Sequence, residues 1–154
     1  MLYIIFLLIV ALDQMTKYLA VEKLMGQSPF VIINNFLQFN YVENFGAAFG
    51  IMQNKQTFFI IITVIIFVAI IIFMKLNNNL NKIMKISLVM ILAGAIGNLI
   101  DRIRLGYVVD FVDVKFGNFY DYPVFNIADS SIVVATLIII YLVLTDKYEL
   151  KGKE

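Results

Sequence analysis

Two aspartates dominate the chemistry open to this chain. Asp110 lies in Gly106-Tyr107-Val108-Val109-Asp110-Phe111 and Asp129 in Phe125-Asn126-Ile127-Ala128-Asp129-Ser130, both among apolar neighbours. Two carboxylates sharing a low-dielectric site cannot both ionise cheaply, so one is left as an acid beside a base. Such a pair can activate a water and protonate a leaving amine. A plainer role also fits, with Asp129 capping a helix and Asp110 solvated in a loop. On chemistry alone both readings stay open. The chain has no Cys and no His, which excludes a thiol nucleophile, a disulfide frame, a Ser–His–Asp triad and most zinc sites. Acid–base work falls to Asp, Glu, Lys or Tyr.

Further polar residues interrupt apolar stretches. Asp13 and Lys17 are spaced i,i+4 and share one helix face. They fit an ion pair that orients the first helix, or a direct part in catalysis. Asn98, Asp101 and Arg102 fall at i, i+3 and i+4, again on one face, and Asp101 can pair with Arg102 or with Lys17. Ala93, Gly94, Ala95 and Gly97 just before them permit close helix approach. Asn44 opens the small-residue run Asn44-Phe45-Gly46-Ala47-Ala48-Phe49-Gly50 and can hydrogen-bond an extended peptide. Asp113, Lys115, Asp121, Glu22, Lys23 and Glu43 read as ordinary solvated charges.

The elements that must position these groups are membrane helices. Of 154 residues, 62% are hydrophobic and 15% charged, against about 45–50% and about 25% for a soluble domain. Runs of about 20 apolar residues are needed to cross a bilayer. Four are present, at about 2–20, 56–74, 82–104 and 124–145. The first lacks the basic start and small-residue cleavage site of a signal peptide, so a retained helix is expected. Lys75, Lys82 and Lys85 between spans two and three, with Lys147, Lys151 and Lys153 in the tail, predict that both termini are cytoplasmic. Residues 21–56 and 105–123 then face outward. Phe30 to Val42 is rich in Val, Ile, Phe and Tyr and reads as strand. The expectation is a single-domain, all-α polytopic membrane protein, with four transmembrane helices and a small extracytoplasmic β-like segment. The net charge of +1 gives no basic surface for nucleic acid.

Four blocks in this order resemble the lipoprotein signal peptidases, the bacterial type II signal peptidases. They are Asp13-Gln14-x-Thr16-Lys17, Asn44-x-Gly46-Ala47-Ala48-Phe49-Gly50, Gly97-Asn98-x-x-Asp101-Arg102-x-x-x-Gly106-x-Val108-Val109-Asp110-Phe111 and Phe125-Asn126-x-Ala128-Asp129-Ser130. The resemblance implies an intramembrane aspartic endopeptidase of the bacterial cell membrane with its active site near the outer face. It implies Asp110 and Asp129 as the catalytic dyad. It further implies Asn44, Asn98, Asp101, Arg102 and Asn126 as substrate-binding residues, with Asp13 and Lys17 in support. The implied activity removes the signal peptide from diacylglyceryl-modified prolipoproteins, before the lipidated cysteine, with no metal or organic cofactor. The implied partners are that substrate and membrane lipid, and a monomer is expected. The competing class is a small transporter or assembly factor that uses Asp101, Arg102 and Asp129 as a polar relay. A carrier would more often show repeat symmetry and helices broken at mid-membrane, whereas these charges gather at one end of the spans.

Overall fold

A computed structural model describes residues 1–46, 52–117 and 119–149. Ala47 to Gly50 of the small-residue run, and the Lys151 and Lys153 of the basic tail, therefore lie outside the described residues. The chain forms α1 (Leu2–Leu24), β1 (Phe30–Ile33), β2 (Leu37–Asn44), α2 (Gln56–Leu76), α3 (Lys82–Leu105), β3 (Val108–Phe116), β4 (Tyr120–Asp121) and α4 (Ile127–Leu144). All four helices are long and apolar enough to cross a membrane. Each expected span maps onto one of them, extended or trimmed by a few residues at its ends.

The β component is larger than the single short segment expected from sequence. The strands form one antiparallel sheet in the order β1-β2-β3-β4. Asn35, at φ 56°, makes the turn of the β1–β2 hairpin, as the short polar side chain of Asn tolerates. β2 then pairs with β3 across more than sixty residues of chain, placing Val42 opposite Asp110 and Asn44 opposite Val108. Gly106 allows this pairing to begin directly after α3. It closes the helix in the left-handed conformation at φ 81°, its N–H donating to the Arg102 carbonyl, and glycine takes that conformation at least cost. β3 also exchanges backbone hydrogen bonds with Phe125, from Phe125 N to Val112 O at 3.0 Å and from Val112 N to Phe125 O at 2.8 Å. The start of α4 is thereby tied to the strand that carries Asp110.

Two apolar clusters hold the ends of the bundle. Leu80, Met84, Leu88 and Leu142 pack at the end away from the sheet. Ala20, Val109 and Phe111 pack where α1 meets the sheet. Between them α3 and α4 approach so closely that a Cβ on Gly94 would stand 2.5 Å from the Ala128 carbonyl oxygen, and one on Gly97 would collide with the Asp13 carboxylate. Small residues thus bring the helices together, as the sequence predicts.

Candidate active site

The site is built where α1, α3 and α4 converge with β2 and β3, and its polar residues come from all of them. On α1, Lys17 is 3% exposed. Its ammonium lies 2.9 Å from Asp13 Oδ2, 2.9 Å from Asp101 Oδ2 and 2.8 Å from Asn98 Oδ1. Three hydrogens meet three acceptors, so the buried cation is fully satisfied. Of the two partners open to Asp101 from sequence, Lys17 is the one it takes. Asp101 also accepts from the backbone N–H of Val109 at 3.1 Å, which fixes the residue before Asp110.

Asp13 acts on a helix other than its own. Its Oδ1 accepts from the backbone N–H of Ala128 at 2.9 Å, one of the orphan donors in the first turn of α4. The Asn126 side chain takes the next, from Asp129 N at 2.9 Å, and the Asn126 N–H donates back to Asp129 Oδ2 at 3.3 Å. This reciprocal pair is a capping box with Asn126 as N-cap. Asp129 is therefore a capping residue, as its plainer reading held. It also lines the same cavity as Asp110, so capping and chemistry are compatible.

Asp110 does not fit its plainer reading. It is 1% exposed on β3 rather than solvated in a loop. Asn44 Nδ2 donates to its Oδ2 at 2.9 Å and Asn126 Nδ2 to its Oδ1 at 2.7 Å. Asn98 Nδ2 donates to Asp129 Oδ1 at 2.7 Å, while its Oδ1 accepts from Lys17 and from Asn126. Three asparagines thus hold both carboxylates and join them to the ion cluster. Burial, reinforced by the charge of Asp129, pushes the Asp110 carboxyl up to about 7, against the pull of the Asn44 and Asn126 hydrogen bonds.

Asp110, Asp129, Asn44, Asn98 and Arg102 all border one cavity of about 210 Å³, closed on its apolar side by Val108, Phe125, Ile132 and Val133. Asn126 lies behind this wall at 0% exposure. Its side chain reaches Asp110, Asn98 and the Val109 carbonyl, and its backbone N–H and side-chain oxygen meet Asp129. Arg102 stands over the Phe59 ring at 5.0 Å and donates to the Gly46 carbonyl at 3.1 Å. It links α3 to the start of α2 and to the chain just after β2.

Two features escaped the sequence reading. Gln14 donates to Asp13, to the Gly97 carbonyl and to Asp101 at 3.0–3.2 Å; its place between Asp13 and Lys17 was the available signal. Asp113, read as a solvated charge, is 5% exposed and accepts from Gln38 Nε2 at 2.6 Å, its direct cross-strand partner. The correction follows from the pairing of β2 with β3, which no local pattern announces. Among the described residues, no group of three Asp, Glu, His or Cys side chains is arranged to hold a metal ion.

Residues 5–145 match the family described as signal peptidase (SPase) II. The chain is 53% identical over 138 residues to a lipoprotein signal peptidase of Caldanaerobacter subterraneus subsp. tengcongensis, covering 88% of this chain and 90% of that one. It is 44% identical over 147 residues to one from Clostridium tetani, covering 95% and 94%. Its fold is similar to that of a bacterial membrane enzyme solved by the in meso method at 2.3 Å, with a TM-score of 0.86 at 40% identity, covering 99% of this chain and 93% of that one.

Proposed function

This chain belongs to the signal peptidase II family, and on that premise we propose that it is an aspartic endopeptidase that removes the signal peptide from diacylglyceryl-modified prolipoproteins, cutting before the lipidated cysteine. The observation that carries the aspartic reading is the convergence of Asp110 and Asp129 on one small cavity, each held on both oxygens by amide donors. The pair shares one proton. The ionised carboxylate takes a proton from water as its oxygen attacks the scissile carbonyl carbon, and the protonated carboxyl hydrogen-bonds the carbonyl oxygen. The tetrahedral intermediate then collapses, the C–N bond breaks and the leaving amine takes a proton from the pair. Asn44, Asn98 and Arg102, on the same cavity, bind the extended peptide; Asp101 and Asn126, expected from the resemblance to bind substrate, are buried off the cavity and instead hold the dyad in place, with Asp13 and Lys17. The transporter or assembly-factor reading is not favoured beside a match of this extent to peptidases.

Charge and packing support the membrane placement proposed here. Lys75, Lys82 and Lys85 lie at the bundle end opposite the sheet, and the chain at Lys147 and Tyr148 returns to the same end, where Asn81 N donates to the Tyr148 carbonyl at 2.9 Å. In the cytoplasmic membrane that end faces inward, with both termini, and the sheet and dyad stand near the outer face. There a lipidated cysteine presents its scissile bond at the depth of Asp110 and Asp129. The chain acts as one domain and as a monomer.

Kinetics on a matched pair of prolipoproteins test the substrate reading. The diacylglyceryl form should be cut at least tenfold faster, in kcat/KM, than the form with an unmodified cysteine, because acyl burial contributes about 0.8 kcal/mol per CH₂. Equal values would mean that the site reads the peptide alone.

A further inference from the structure

Two apolar clefts lie beside the sheet. One, of about 710 Å³, runs between the end of α1 and the hairpin, among Leu19, Leu24, Phe30, Phe39 and Phe111. The other, of about 380 Å³, lies between the β3–β4 edge and the first turns of α4. Val114, Phe116, Tyr122 and Phe125 form one wall of this second cleft, and Val133 and Val134 the other. Its volume falls in the range of small-molecule sites, about 300–1,000 Å³.

The clefts differ in their access to the dyad. The second shares Tyr122, Phe125, Asp129 and Val133 with the cavity between Asp110 and Asp129. The first shares no residue with that cavity. The second also opens sideways, past Val133 and Val134, which are 52% and 48% exposed on the membrane-crossing helix. An apolar chain can therefore pass from the reacting carbonyl to the lipid hydrocarbon without crossing water.

We propose that the cleft between α4 and the β3–β4 edge takes an acyl chain of the diacylglyceryl group on the substrate cysteine. The inference rests on the peptidase reading above and adds the place where the lipid is recognised. The cysteine sits at the scissile bond, so its lipid leaves directly from the dyad cavity. Two clefts adjoin that cavity: the one beside Asp110 is lined by the polar Glu43, Gln53 and Asp121, whereas the one beside Asp129 is mainly apolar. The cavity itself presents Asn44, Asn98 and Arg102, whose polar groups an acyl chain would strip of hydrogen-bond partners. The cleft presents mainly aromatic and branched aliphatic side chains, with Asp129 and Ser130 as its polar residues.

The test uses the full-length protein in detergent and two diacylglyceryl peptides of one sequence, with long or with short acyl chains. Val134→Trp fills the cleft at a position that does not line the dyad cavity. Leu137→Trp, at a position 61% exposed further along α4, controls for bulk. Wild type should prefer the long-chain peptide. Val134→Trp should lose about tenfold in kcat/KM on it, the effect of excluding two methylenes, and little on the short-chain peptide. Leu137→Trp should keep both rates. An unchanged long-to-short ratio in Val134→Trp overturns the proposal, as does a wild type indifferent to chain length. A wild type that cuts neither peptide instead removes the peptidase reading on which the proposal stands. Photolabelling gives a readout independent of turnover and of the folding of Val134→Trp. Asp110→Asn bound to a long-chain peptide with a photoreactive acyl terminus should be labelled between residues 114 and 134; label between residues 19 and 30 puts the chain in the other cleft and overturns the assignment.

Discussion

Helices α2 and α3 lie side by side, yet their hydropathy and their burial run in opposite directions. α2 has a peak mean hydropathy of 3.2 and no buried residue. α3 has 2.0 and buries ten, including Ser87, Asn98 and Asp101. In water the more apolar helix would be the one inside. In a bilayer, lipid tails solvate Ile and Phe as well as a protein interior does, so hydropathy does not select for burial. Polar side chains have no partner in lipid, and small ones allow helices to meet; both turn inward. α1 follows the same rule, since its buried residues are Asp13, Lys17 and Ala20. Polar residues in these spans mark the protein-facing side, and the residues of the proposed active site lie along it.

The sharpest way to break this comparison is to load the same bulk onto each helix. Gly94→Leu on α3 drives a side chain into the Ala128 backbone and Ile132. It should abolish folded protein, seen as aggregation in size-exclusion chromatography. Ala69→Leu on the exposed surface of α2 should leave elution and activity unchanged. A monodisperse Gly94→Leu enzyme would show that the α3–α4 seam is loose.

Removal of the buried cation comes next in size. Lys17→Met leaves Asp13 and Asp101 facing each other without a counter-charge, a loss of about 3–5 kcal/mol for a broken buried ion pair. Thermal unfolding in detergent should shift down by more than 10 °C, with activity falling in parallel. An unshifted transition would mean that the carboxylates find other partners and that the cluster is not the keystone of the polar side.

The smallest effect is on pH. α2 has a single ionisable side chain, Lys75 in its last turn, whereas the polar side of the bundle gathers Asp110 and Asp129 on one cavity. In the proposed mechanism Asp110 and Asp129 act with one shared proton. With the Asp110 carboxyl at about 7, that proton is held below this pH and lost above it, so kcat/KM should fall several-fold as pH rises from 6 to 8. A rate that climbs over this interval would contradict a protonated carboxyl in the mechanism.

The helices were legible in the sequence because each is specified locally, by an apolar run long enough to span lipid. Asp13, Lys17, Asn98 and Asp101 were legible as a cluster because helical spacing puts them on shared faces. The sheet was not. Phe30 to Val42 alone has a local strand pattern; β3 has none, because its partner β2 lies more than sixty residues earlier and only the pairing gives Val108 to Phe116 its edges. The same gap produced the error at Asp113, whose burial depends on Gln38 opposite. It also hid the part played by Asp13, which caps α4 from another helix. That contact depends on how closely Gly97 lets α1, α3 and α4 approach. Local chemistry could be read directly; contacts between distant segments needed the fold.

The central claim is that Asp110 and Asp129 together cut the peptide bond, and turnover of a diacylglyceryl prolipoprotein by Asp110→Asn tests it most directly. Asparagine keeps the shape of the side chain but cannot take part in the proton exchange. The account predicts a folded, membrane-inserted variant with an unchanged elution profile and a kcat about 10²- to 10⁴-fold below wild type, with Asp129→Asn behaving alike. An Asp110→Asn enzyme that turns over at near the wild-type rate would contradict it.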